Sequence, residues 1–161
     1  MDTGGQFSSG LRGGALGLVA AMAMTGMRTM STSLGLLERT PPEEVVTEEA
    51  PRLLGAVPPG RRRAVIELAH WAFGTGAGAV FGALPSRVRH HRAAGPAYGV
   101  AIWLSFATVM APSLGLRVAN RRPLSSNLML LADHLLYGVI VGGRLPTVAG
   151  VSRPVQHRAT K

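Results

Sequence analysis

Four stretches of the chain contain no Asp, Glu, Lys or Arg: residues 13–27, 68–86, 93–116 and 123–132, the last continuing past Asp133 to Gly143. Crossing the hydrocarbon core of a bilayer as a helix takes roughly 20 apolar residues. "LAHWAFGTGAGAVFGALPS" (68–86) and "AAGPAYGVAIWLSFATVMAPSLGL" (93–116) meet that outright. The first stretch reaches the length only with Arg28 inside the span, and the last only with Asp133 inside. The pattern predicts four helical spans, at about 13–37, 66–84, 95–116 and 124–145. A cleaved secretory signal is the rival for the first, because Arg12 precedes the apolar run and Ala21-Met22-Ala23 has the small-x-small form of a cleavage site. A soluble bundle of buried helices is the rival for the whole, and glycine-rich helices form poorly in water.

A motif occurs twice. "AHWAFGTGAG" (69–78) returns as "DHLLYGVIVGG" (133–143), both reading His-x-x-[Phe/Tyr]-Gly-x-x-x-Gly at an offset of 64 residues. The other two spans also correspond: Gly13-Gly14-Ala15-Leu16-Gly17 parallels Gly95-Pro96-Ala97-Tyr98-Gly99, and "SLGL" stands at both 33–36 and 113–116. The expected architecture is all-α, an integral membrane four-helix bundle of two tandem transmembrane hairpins, 13–84 and 95–145. Such tandem repeats are related by a pseudo-two-fold axis along the membrane normal. Gly13, Gly17, Gly74, Gly78, Gly95, Gly99, Gly138 and Gly142 recur at spacings of four, which strips one helix face of side chains and lets a neighbour approach closely. His70 and His134 stand one turn before the glycines of their own helices, placed to donate to a carbonyl of the neighbouring helix.

Between the spans, punctuation marks the loops. Thr40-Pro41-Pro42-Glu43 carries the N-cap, first-turn proline and capping-box glutamate of a helix start, and valines and leucines among glutamates over about 41–54 predict an amphipathic segment on the membrane surface. A solvated charged linker is the alternative there. Residues 1–12 and 146–161 are Gly/Ser-rich or basic without periodicity and are expected to be disordered.

Net charge is +9, carried by arginines at 61–63, 87–92, 117–122 and 144–161 that flank the apolar runs instead of lining one helix. That distribution points to a lipid bilayer as partner, not to nucleic acid. The side holding both termini carries eight Lys/Arg and the other nine, so counting alone does not orient the chain. Six glutamates, at 38, 43, 44, 48, 49 and 67, dilute the second side, and termini in the cytoplasm are the expected arrangement. Without cysteine there is no disulfide, cysteine-ligated zinc or iron–sulfur chemistry.

Ionisable residues inside spans are costly and usually face the bundle interior, which makes Arg28, His70, Asp133 and His134, with Glu67 at an edge, the candidate functional or packing residues. Arg28 and Asp133 fall at similar depth, so an ion pair between the first and last helices is open. Thr25, Arg28, Thr29 and Thr32 share one face, and Ser105, Thr108 and Pro112 another. These stripes would line a hydrated cavity, or else bond back to their own helices. Two histidines near glycines also admit a bis-His haem, and His70, His134 and Asp133 a zinc site. His90 and His91 in "RVRHHR" belong to a solvated loop. Soluble-enzyme motifs are missing, and "GTGAG" lacks the strand a nucleotide loop requires, so no catalytic residue, metal or cofactor is expected.

"GxxxGLVAAMAMT" followed by "AH…FG" and "DHLLYGVIVG" resembles the small four-helix bacterial inner-membrane proteins of the YagU-like and related groups, over roughly residues 13–145. The resemblance implies a multi-pass protein of the bacterial inner (plasma) membrane without an established activity, and the Arg/Ala/Gly bias fits a GC-rich bacterial genome. The expected function is a non-enzymatic scaffold or subunit working with copies of itself or another membrane protein. The alternative is a small-solute or proton pathway lined by the intramembrane Arg, His and Asp.

Overall fold

In a computed structural model of the chain, residues 3–35, 55–113 and 124–143 are described. The surface segment at 41–54 with its Thr40 cap, the loop arginines at 117–122 and the basic tail 146–161 lie outside them. Every element among the described residues is helical. They are α1 (Thr3–Ser33), a 3₁₀ turn (Pro59–Arg61) running into α2 (Arg62–Ala83), a short α3 (Ser86–Arg89), α4 (Ala94–Ser105) with a π turn (Phe106–Met110) and α5 (Ala111–Ser113), and α6 (Leu124–Val141).

Local chemistry explains the boundaries. Pro58 and Pro59 open the second helix, where a missing N–H costs nothing. Pro85 closes it by forcing Leu84 into an extended conformation (ψ 152°). Gly35 (φ +70°) ends α1 and Gly143 (φ +67°) follows α6, each in the left-handed region that only glycine enters freely. The π turn has its cause in Pro112, which cannot donate to the carbonyl four residues back and whose ring would strike it.

Two expectations change. Residues 3–12 are helical, not disordered, because the extra turns rest on α2: a Cβ at Gly82 would collide with the backbone at Ser9 and Gly10, and Arg89 Nη2 donates to Ser9 Oγ at 3.3 Å. The lengths also depart from the sequence reading. Gly5–Ser33, Pro59–Ala83 and Leu124–Val141 are long and apolar enough to cross a membrane, whereas 93–116, one of the two runs that met the criterion outright, supplies only the shorter helix Ala94–Val109 among the described residues.

Packing is backbone on backbone. Along α1 and α2, which run antiparallel, a Cβ at Gly13 would meet Gly78 and Gly82, and one at Gly17 would meet Gly74 and Gly78. Helices α4 and α6 meet in the same manner, Gly95 on Gly138 and Gly142, and Gly99 on His134 and Gly138. The two pairs differ in register by one turn. Gly17 reaches the two glycines of the first motif, but its counterpart Gly99 reaches the histidine and the first glycine of the second. Helix α6 then lies against α1 and reaches α2 through Tyr137 at Gly74, and Tyr137, Ile140 and Val141 join a core with Ala20, Met24 and Phe81. Large apolar side chains such as Leu18, Val19, Leu68, Phe73, Val80 and Leu128 point away from this core and stay exposed.

Candidate functional site

The sequence-predicted ionisable residues converge where the C-terminal half of α1 passes the start of α2 and the middle of α6. Arg28 is buried, only 4% exposed, and its guanidinium is the hub. Nη2 lies 3.5 Å from Glu67 Oε2 and donates to Thr25 Oγ1 at 3.2 Å. Nη1 lies 3.1 Å from His70 Nε2 and 3.9 Å from Asp133 Oδ2. The ion pair open to Arg28 and Asp133 is therefore present at the long end of the range, and Glu67 supplies a second, closer carboxylate.

Helical spacing produces the convergence. Thr25 and Arg28 are three apart on α1, and Glu67 and His70 three apart on α2, so each pair shares a face. The glycine contacts between α1 and α2 advance in steps of four, and continuing past Gly17 through Ala21, which lies against Gly74, brings Thr25 and Arg28 level with Glu67 and His70.

Hydrogen-bond chemistry assigns the histidine tautomers. A guanidinium can only donate, so His70 Nε2 accepts from Arg28 and the ring proton of the neutral imidazole sits on Nδ1. A carbonyl can only accept, so His134 Nδ1 donates to Leu130 O at 2.8 Å. Neither ring bonds a neighbouring helix's carbonyl as expected. His70 serves a side chain, and His134 bonds one turn back on its own helix because the backbone at His134 is already pressed against Gly99.

Thr25 is the polar junction. Its hydroxyl accepts from Arg28 and from Trp71 Nε1 (3.0 Å) and donates to Glu67 Oε2 at 2.8 Å, with Ala21 O at 3.2 Å as the other acceptor. The remaining hydroxyls of both stripes turn back on their own helices. Thr29 bonds Thr25 O, Thr32 bonds Arg28 O, Ser105 bonds Ala101 O and Thr108 bonds Leu104 O. The second of the two stripe readings is the one realised.

Two tyrosines and a tryptophan escaped the sequence reading or were only partly read. Tyr137 is buried and donates to Gly74 O at 2.6 Å, while its motif partner Phe73 is exposed. Tyr98 donates to Ala77 O at 2.8 Å and stacks at a tilt on Phe81, with ring centroids 5.1 Å apart. The available signal was the polar atom each carries within an apolar run, which must find a partner once buried.

Asp133 is the exception in this network. It is 2% exposed, and neither carboxylate oxygen accepts a hydrogen bond among the described residues. No group of three His, Asp or Glu side chains is arranged to hold a metal among those residues, which leaves the zinc reading without support. The glycines that would make room for a macrocycle are filled by neighbouring backbone, and His70 Nε2 is engaged by Arg28, so the haem reading has none either.

Fold and cluster together define an all-helical protein with three helices long and apolar enough to span a membrane, compatible with a membrane-embedded chain. No protein family, curated protein or solved structure matches it.

Proposed function

We propose that the chain is a non-enzymatic integral membrane protein of the bacterial inner membrane, a scaffold or subunit whose four spans form two tandem hairpins with both termini in the cytoplasm. The observation that carries this reading is the Arg28 hub, which ties α1, α2 and α6 through side chains from each. Polar clusters of this kind join helices that have no hydrophobic drive to associate in lipid. The likeness to the YagU-like proteins accompanies the reading as an expectation and adds no residue to it.

Membrane fractionation tests the location. The chain is expected to stay in the pellet after alkaline carbonate washing, and release into the supernatant would refute it. The clamp has its own test. Removing one member of a buried ion pair leaves an uncompensated charge, at a cost of about 3–5 kcal/mol, whereas neutralising the whole set is far milder. Arg28→Met alone should sharply lower the thermal midpoint in detergent, and Arg28→Met combined with Glu67→Gln and Asp133→Asn should recover most of the loss. Equal losses in both would dismiss the clamp.

The oxygens of Asp133, which accept no hydrogen bond among the described residues, favour a second reading, a proton or small-solute pathway through the same cluster. On that reading vesicles containing the protein conduct protons or solute, and conduction falls in His70→Gln and His134→Gln variants that remain folded. Undiminished flux in those variants would remove it.

A further inference from the structure

Arg28, Glu67 and Asp133 do not balance in charge among themselves. Arg28 contributes one positive charge and Glu67 and Asp133 one negative charge each, and His70, which accepts from Arg28, is a neutral ring. Among these three charged groups one positive charge is lacking, in a place where side chains of α1, α2 and α6 meet. The two carboxylates are not equivalent. Glu67 accepts from Thr25, lies nearer the guanidinium and is 19% exposed, so it is built to be the anion. Asp133 has no hydrogen-bond donor on either oxygen among the described residues, stands farther from Arg28 and is 2% exposed. A charge stripped of water and of hydrogen bonds is the costliest form a carboxyl can take.

We propose that Asp133 is a proton-binding site, the neutral acid of the cluster, whose single proton completes the charge balance of Arg28, Glu67 and Asp133. The inference deepens the second reading of the function, since it names the ligand of the cluster. A proton suits these surroundings better than a metal cation, because the guanidinium at 3.9 Å repels a metal ion and the described residues offer no group of three His, Asp or Glu side chains to hold one. The charged group against Asp133 is Arg28 from α1; Glu67 and His70 from α2 meet the same guanidinium, and His134 follows Asp133 on its own helix with its ring turned to Leu130 O. The titratable group α4 contributes to the packing, the Tyr98 hydroxyl, is committed to Ala77 O. Binding here means O–H bond formation on one Asp133 oxygen with a proton taken from water. Release returns the proton to water.

Infrared spectroscopy reads this directly. The full chain is purified from whichever fraction it is recovered in, and placed in phosphatidylcholine vesicles if that fraction is the membrane. Soluble recovery therefore refutes the membrane reading, while the spectrum alone decides the proton. A carboxylic-acid C=O stretch is expected at neutral pH, shifting on exchange into D₂O, lost in Asp133→Asn, and moved to lower frequency when the aspartate carboxyls, but not the glutamate carboxyls, carry the heavy carbon isotope. Absence of the band from the unmodified protein, its movement with labelled glutamate instead of labelled aspartate, or its disappearance on adding sodium at constant pH would overturn the proposal. The labelled unmodified protein decides the matter even if Asp133→Asn does not fold.

Discussion

At the scale of single residues, glycines of one composition have opposite roles. A Cβ at Gly17 would fall on the backbone of Gly74 and Gly78, whereas Gly26 and Gly76 have nothing within 4 Å of the same position. Gly17→Val should therefore force α1 and α2 apart and abolish a cooperative thermal transition in detergent. Gly26→Ala and Gly76→Ala should leave the transition unchanged or raise its midpoint, since alanine favours the helix by about 0.5–1 kcal/mol. A drop for the latter pair would mean that those faces meet something outside the chain. In the same way Thr25 is distinguished from Thr29 and Thr32 by its cross-helix partners. Thr25→Val should lower the midpoint appreciably, and Thr29→Val should not.

At the scale of helices, the register of α1 on α2 makes a geometric prediction. A Cβ at Gly14 would lie 3.6 Å from Ala79 Cβ, inside the range disulfides require, and the chain has no cysteine of its own to interfere. Gly14→Cys with Ala79→Cys should cross-link under mild oxidation and migrate faster on non-reducing gels. Moving the second cysteine to the exposed position of Val80 should prevent this. The one-turn difference between the two helix pairs belongs to this scale as well. The sequence motif aligns His70 with His134, yet the partner of Gly99 is the backbone at His134, and the partner of Gly17 is the backbone at Gly74. Motif spacing specifies a face of a helix, while the depth at which two such faces engage depends on the side chains around them. Here Ala21 sits against Gly74, and Tyr137 reaches across to its carbonyl.

At the scale of the whole molecule, the exposed apolar surface and the buried ionic cluster form the inverse of a water-soluble protein, which hides its large apolar residues and solvates its charges. On the membrane reading, detergent removal without added lipid should precipitate the protein, and staying monomeric and clear would count against it. Much was legible from the pattern alone. The apolar runs announced helices because their length and their lack of charge admit no other element in lipid. Arg28, Glu67, His70, Asp133 and His134 stood out as exceptions within or at the edge of those runs, for the same reason. The glycine spacing announced faces of close approach. What only the tertiary structure decided were relations between helices: that Glu67 comes nearer to Arg28 than Asp133 does, that His134 turns to its own helix, that residues 3–12 continue α1, and that Asp133 is left without a donor among the described residues. The physical reason is one of range. Hydropathy and periodicity are local properties that a stretch of chain carries wherever it lies, whereas hydrogen-bond partners within 3–4 Å depend on the register of helices whose residues stand 42 to 105 positions apart in sequence.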